Sequence, residues 1–82
     1  MPPITLRYFA AAADAAGREE ESWEPANDAS LAALRVELIE RYGDDMRRVI
    51  QSGSFLIDGT VRCDDGEIAG SVVDVLPAFA GG

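Results

Sequence analysis

Apolar and polar residues alternate at the start of the chain, where Ile4-Thr5-Leu6-Arg7-Tyr8-Phe9 puts Ile4, Leu6 and Tyr8 on one side. A period of two is typical of a half-buried strand. The next seven residues, 10–16, are nearly all alanine, which is the best helix former. Gly17 follows, where a left-handed helix stop is expected. The pattern therefore predicts an opening strand and then a short helix.

An acidic stretch follows at residues 19–24, and Trp23 is its only large apolar residue. Like charges protect an exposed sheet edge from pairing with other chains, so the stretch is predicted to be an edge strand. Trp23 is expected to fold back onto the helix or the sheet. The less favoured alternative is that Trp23 contacts a partner, since tryptophan is enriched at interfaces.

The main helix is predicted by apolar residues that recur at spacings of three and four after the capping residue Ser30. The apolar positions are Leu31, Leu34, Leu38 and Tyr42, the outer pair is Glu37 with Arg41, and the stop is Gly43. A second short helical segment is predicted from Asp44 through Ile50. It contains the adjacent Arg47 and Arg48, which we interpret as a solvated face because two arginines fall short of an anion site.

Three strand patterns complete the fold. Residues 54–57 and 60–63 flank Asp58-Gly59, the strongest short hairpin signal. Residues 72–76 are apolar enough to form a central strand. Cys63 is expected to be a small packing residue rather than a nucleophile, because Arg62 is its only basic neighbour in sequence.

Composition limits the classes of function. The chain has 82 residues, 48% apolar and 27% charged, with a net charge of -8, which indicates one small globular domain. The acid excess disfavours nucleic acid and anionic membranes and favours a basic protein partner, although it would equally serve solubility alone. Without histidine, a Ser-His-Asp or Cys-His site is excluded. With one cysteine and no predicted signal peptide or membrane span, a cytoplasmic location is expected.

The last seven residues, Leu76-Pro77-Ala78-Phe79-Ala80-Gly81-Gly82, are predicted to carry the function. Pro77 has no N–H for sheet pairing, so the segment should leave the sheet as a protruding arm. Gly81 and Gly82 lack a Cβ, so this backbone can pass through a narrow slot in a partner and present the Gly82 carboxylate. A frayed end is the simpler alternative. However, a frayed end has no use for the bulky Phe79.

Two phrases resemble a known family: residues 74–82, Asp-Val-Leu-Pro-Ala-Phe-Ala-Gly-Gly, and the opening phrase at residues 7–17. Both are similar to the ubiquitin-like sulfur carriers, and most similar to the small subunits of molybdopterin synthases. Composition and periodicity alone predict only an α+β fold. The resemblance implies a ubiquitin-like β-grasp: a mixed sheet with one main helix, the last strand beside the first, in a single domain over residues 1–82 with a flexible C-terminal tail at 77–82.

The resemblance also implies a chemistry. Gly82 would be adenylated by an ATP-dependent adenylating and sulfurtransferase enzyme and converted to a thiocarboxylate. The large subunit of molybdopterin synthase, in an expected heterotetramer, would receive the tail through Leu76, Pro77, Ala78, Phe79, Ala80 and Gly81. Catalytic residues would then lie on the partner, with no metal and no bound cofactor here.

Two alternatives stay open at this point. The first is a carrier that serves thiamine, cysteine or tRNA thiolation, and the second is a ubiquitin-like protein modifier. Pro77-Ala78, where many relatives have two prolines, leaves the pathway undecided.

Overall fold

A computed structural model describes residues 3–25 and 29–78 of the chain. These two ranges form five strands and three helices. In chain order they are β1 (Ile4–Tyr8), α1 (Ala11–Ala16), β2 (Glu20–Trp23), α2 (Leu31–Tyr42), α3 (Asp44–Ser52), β3 (Ser54–Ile57), β4 (Thr60–Arg62) and β5 (Val72–Leu76). All the predicted elements are present, and only α3 is clearly longer than the pattern indicated.

The strands form one mixed sheet in the order β2-β1-β5-β3-β4. Strand β5 lies at the centre, parallel to β1 on one side and antiparallel to β3 on the other. The apolar composition of β5 suits this position, because a central strand has a neighbouring strand along each of its two edges and is largely shielded from water. The α+β class, the β-grasp arrangement and the insertion of the last strand beside the first are therefore confirmed.

The helices cover one face of this sheet and build the core with it. The Ser30 hydroxyl caps α2 by accepting a hydrogen bond from the Ala33 N–H at 3.1 Å. Of the predicted stripe, Leu31, Leu34 and Leu38 are buried, and Tyr42 is half-buried against the core. Helix α3 runs to Ser52, where the Gly53 N–H donates to the Val49 carbonyl, and its residues Met46, Val49 and Ile50 bury a second apolar face.

The hairpin prediction is confirmed in detail. Asp58 and Gly59 both have positive φ, 47° and 88°, as the type I′ hairpin turn requires. The loop after β4 is held to the start of α2, because the Leu31 N–H donates to the Gly66 carbonyl at 2.9 Å. Cys63 lies in this region and is exposed. Its expected role as a packing residue is therefore wrong: it follows the edge strand β4, where no core surface reaches it.

Strand β2 is an edge strand, as predicted, and the Trp23 side chain belongs to the core with 4% of its surface exposed. Burial argues against Trp23 as a partner contact. The expectation that the acidic residues of this strand are exposed is wrong at Glu21. The side chain of Glu21 is 9% exposed and accepts hydrogen bonds from the Tyr8 and Tyr42 hydroxyls. An acidic residue thus closes one side of the core.

Candidate functional site at the base of the C-terminal tail

Strand β5 ends at Leu76. Because β1 is parallel to β5, the C-terminal ends of the two strands lie next to each other at the same end of the sheet. The two strands are parallel, with Tyr8 opposite Val75, and the Phe9 N–H donates to the Val75 carbonyl at 3.2 Å. On the other side, Ser54 at the start of β3 is opposite Leu76. The chain therefore leaves the sheet between the end of β1 and the start of β3.

The structure describes part of the predicted arm. Leu76 and Pro77 are half-buried and Ala78 is exposed, and no strand continues past Leu76 within the described residues. This agrees with a proline stop, since Pro77 cannot donate to a ladder. Phe79, Ala80, Gly81 and Gly82 lie outside the described residues, so the predictions for these four positions stay predictions.

An ion pair that the sequence pattern did not predict lies beside this exit. The Arg7 guanidinium donates to both Asp74 carboxylate oxygens, at 2.6 and 3.1 Å, across the β1–β5 pair. Asp74 is buried, and the Arg7 side chain is 47% exposed. The hydrogen bond to Asp74 and its negative charge raise the pKa of Arg7 above its usual value. In the sequence, this pair is indicated only by one arginine within the β1 pattern and one aspartate within the β5 pattern.

The sheet face around this pair is partly apolar. Residues opposite one another in neighbouring strands share a face, and Leu56 is opposite both Asp74 and Val61. Val61 is 61% exposed, and Phe9, whose ring centroid lies 5.6 Å from the Arg7 guanidinium carbon, is 39% exposed. The face without helices therefore presents scattered apolar side chains around one ion pair, next to the point where the tail leaves.

A groove of about 420 Å³ opens beside Phe9 and Arg7, with Glu19 and Glu20 on its far side. Ala10 lines it with φ 51° and ψ -122°, a conformation that favours glycine. The turn is closed by the Ala12 N–H, which donates to the Phe9 carbonyl at 3.0 Å. Phe9 is thus held by backbone bonds both to this turn and to β5.

The other charged residues singled out in the sequence lie elsewhere. Arg47 and Arg48 are exposed on α3 and pair with Asp44 and Asp45 at 3.2 and 3.9 Å, which confirms a solvated face. Among residues 3–25 and 29–78, no group of three or more His, Cys, Asp or Glu side chains could hold a metal ion. In the same ranges, no helix has both the length and the apolarity to cross a bilayer.

Solved structures support the class to which this fold belongs, the β-grasp proteins. A Pyrococcus furiosus protein assigned as molybdopterin converting factor, subunit 1, is 22% identical with a TM-score of 0.74, over 96% of this chain and 100% of that one. The crystal structure of SAMP1 from Haloferax volcanii is 21% identical with a TM-score of 0.76, over 99% and 100%. The solution structure of the Haloferax volcanii HVO 2177 protein is 24% identical with a TM-score of 0.68, over 98% and 86%. At these identities the likeness shows the fold.

The family follows from the sequence. A model of the ThiS family matches residues 6–82, which is nearly the whole chain, and the chain therefore belongs to the ThiS family. No curated protein matches it significantly in sequence.

Membership fixes the general role: the protein is a small sulfur carrier and not itself a catalyst. Carriers of this family hold sulfur as a C-terminal thiocarboxylate and work with E1-like activating enzymes.

Proposed function

We propose that this chain is the sulfur-carrying small subunit of a molybdopterin synthase, with Gly82 as the residue that bears the thiocarboxylate. The observation that carries the choice of pathway is the resemblance of two segments of the chain to those subunits. The two segments that resemble those subunits, residues 7–17 and 74–82, are distant in sequence, and the first three residues of the second segment belong to strand β5, where the Val75 carbonyl accepts a hydrogen bond from the Phe9 N–H. The Pyrococcus furiosus protein that shares the fold is also assigned to molybdopterin conversion.

The chemistry at Gly82 would require an activating enzyme. A carboxylate is a poor electrophile because its negative charge and resonance repel nucleophiles. ATP converts it to an acyl adenylate with release of pyrophosphate. The outer sulfur of a persulfide then attacks the carbonyl carbon and AMP leaves. A second thiol breaks the resulting sulfur–sulfur bond, forms a disulfide with the other sulfur and releases the thiocarboxylate. Tethering this sulfur to a protein delivers it at high effective concentration.

The described residues support a purely presenting role for this chain. Strand β5 is bonded on both sides, so the base of the tail is held by the most protected strand of the sheet. The Asp74 carboxylate near that base is engaged by Arg7. The fold would then supply a rigid platform, and the large subunit would supply the groups that act on the pterin precursor.

Leu76, Pro77, Ala78, Phe79, Ala80 and Gly81 are proposed to contact the large subunit as the tail enters its active site. Pro77 fixes its own φ and keeps Leu76 extended, so the tail begins in a preset direction. Glycine at position 81 would let the backbone pass a narrow channel.

Identification of the natural partner tests the proposal. The carrier, tagged at its N-terminus so that Gly82 stays free, is used to capture proteins from the source cell. Captured proteins are identified by mass spectrometry, with a variant that lacks residues 77–82 as the control. The expected partner is a molybdopterin synthase large subunit that is captured only with the tail present. Recovery instead of a cysteine synthase, a thiazole-forming enzyme or a tRNA-thiolating enzyme would replace the proposed pathway with that one.

A further inference from the structure

The backbone of Gly53 lies against the end of β5 more closely than any side chain would allow. Gly53 joins α3 to β3, and a Cβ placed on it would lie 2.0 Å from the Leu76 carbonyl oxygen and 2.7 Å from the Val49 carbonyl oxygen. Both neighbours are backbone atoms, so no side-chain rotation relieves the overlap. The φ of Gly53 is -95°, which any residue can adopt. Space, not backbone conformation, requires glycine here.

Gly53 itself cannot easily withdraw. Its N–H donates to the Val49 carbonyl at 2.8 Å and caps the end of helix α3. The next residue, Ser54, is already paired with Leu76 across β3 and β5. The end of β5 is the less restrained side of the contact, because Leu76 is its last residue. A side chain at position 53 would therefore push the Leu76 carbonyl outward by about 1 Å or more.

We propose that Gly53 is a positioning residue for sulfur transfer: by leaving room for the Leu76 carbonyl, it sets the point and direction at which residues 77–82 leave the sheet. The inference rests on the proposed function only in taking the tail as the working end. Pro77 would pass the effect on, because it restricts Leu76 and fixes its own φ, so a shift at Leu76 redirects the segment that follows.

The test compares Gly53→Ala with a matched glycine at the other end of the same strand. A Cβ on Gly70 would lie 2.2 Å from the Asp58 Oδ2 atom, also too close, but this neighbour is a side-chain atom and Gly70 precedes the start of β5. Gly70→Ala therefore adds the same methyl group at a crowded site far along the strand from the tail. Val73→Ala, which truncates a fully buried residue of β5, serves as a control for lost stability.

Two readouts are measured at a temperature where circular dichroism shows every variant folded. The first is the backbone amide chemical shift of Ala78 by NMR, which needs no enzyme. The second is the steady-state rate of adenylation by the activating enzyme as a function of carrier concentration. Gly53→Ala is expected to shift the Ala78 amide and to raise KM about five- to tenfold with kcat within about twofold, because a redirected tail docks less often but reacts normally once docked. The two controls are expected to leave both readouts near wild type.

The outcomes separate the inference from the proposed function. A folded Gly53→Ala protein with wild-type Ala78 shift and wild-type KM overturns the inference, as does an equal KM change in the Gly70 and Val73 controls. If Gly53→Ala does not fold, Pro77→Gly decides, because it frees the exit direction and leaves residue 53 intact: an unchanged KM overturns the inference and a comparable rise supports it. Failure of the wild-type carrier to be adenylated contradicts the proposed function. The Ala78 amide shift needs no enzyme, so it still tests whether residue 53 sets the exit direction of the tail.

Discussion

The Glu21 cluster and the end of β5 lie in one small domain but are held in opposite ways. Glu21 on the edge strand is surrounded by side chains: two tyrosine hydroxyls and the guanidinium of Arg41, 3.0 Å away, converge on its carboxylate. The end of the central strand β5 is held chiefly by backbone: Leu76 is paired with Ser54 of β3, and the Val75 carbonyl accepts a hydrogen bond from the Phe9 N–H. The Glu21 cluster stabilises the fold, whereas the end of β5 fixes the point at which the C-terminal segment leaves the sheet. Changes in the two regions should therefore have separable effects.

Deletion of Gly82 should have the largest effect on function. Because the proposed site of adenylation is the Gly82 carboxyl group, a chain that ends at Gly81 should show no sulfur loading when incubated with the activating enzyme, ATP and a sulfur donor. Its thermal unfolding should match that of the wild type, since the change lies beyond the last strand. A shortened protein that is still loaded at the normal rate would show that the terminal glycine is not the site.

Replacement of Phe79 by alanine should weaken binding to the large subunit about ten- to a hundredfold, as expected for an aromatic anchor in an interface. Burial of an aromatic side chain in a partner's channel is worth roughly 2–3 kcal/mol by area. Isothermal titration calorimetry would measure the affinity and circular dichroism the stability. A large drop in melting temperature with unchanged affinity would instead place Phe79 in the carrier's own core.

Replacement of Glu21 by glutamine should lower the stability of the fold and leave sulfur loading near normal, which is the reverse of the effect expected for the tail. Partial burial alone would raise the pKa of Glu21, but hydrogen bonds from Tyr42 and Tyr8 and the charges of Arg41 and Arg18 outweigh it and lower the pKa below its usual value of 4.5. The ionised form is thus favoured in the folded state. Its loss should cost about 1.5–3 kcal/mol of unfolding free energy at neutral pH, the range for hydrogen bonds to charged groups.

The pH dependence of this effect has a fixed sign. A carboxyl whose pKa is lower in the folded than in the unfolded state adds stability that is fully present above the unfolded value and is lost as pH falls through the folded value. Denaturant unfolding of wild type and Glu21→Gln should therefore differ most above about pH 5 and converge in acid. A constant difference at every pH would mean that the charge of Glu21 is not what stabilises the cluster. Sulfur loading of the folded variant should stay near normal.

Replacement of Cys63 by serine should have the smallest effect. The thiol is exposed at the end of the edge strand β4, and the sulfur is proposed to reside on the tail. Thiocarboxylate formation by Cys63→Ser should stay within a few-fold of wild type in the same loading assay. Complete loss of loading by a folded Cys63→Ser protein would move the sulfur chemistry from the tail to this thiol.

The comparison also explains what the sequence could and could not predict. Strands, helices, the Asp58-Gly59 turn and the central place of β5 follow from local patterns of period, capping and composition, and these were confirmed. The Arg7–Asp74 pair, the Glu21 cluster and the Gly53 contact depend on which residues the register brings together. Arg7 and Asp74 are 67 positions apart in sequence, and Gly53 differs from an ordinary loop glycine only through its distance to Leu76. Such contacts have no local signature.

The same limit applies to function. Family membership and the general role as a sulfur carrier follow from a match over residues 6–82. Neither family membership nor the shared β-grasp fold determines the pathway. The face around Arg7 and Asp74 combines an ion pair with exposed apolar side chains, a combination for which a partner surface would need matching charge and shape.

The most direct test of the account is the mass of the intact carrier after incubation with its activating enzyme, ATP and a persulfide donor. The account predicts replacement of one oxygen atom by one sulfur atom, with fragmentation placing the change on Gly82. It further predicts that the change disappears when ATP is left out. An unchanged mass in the complete reaction with the cognate enzyme, or a sulfur atom located on Cys63, would contradict it.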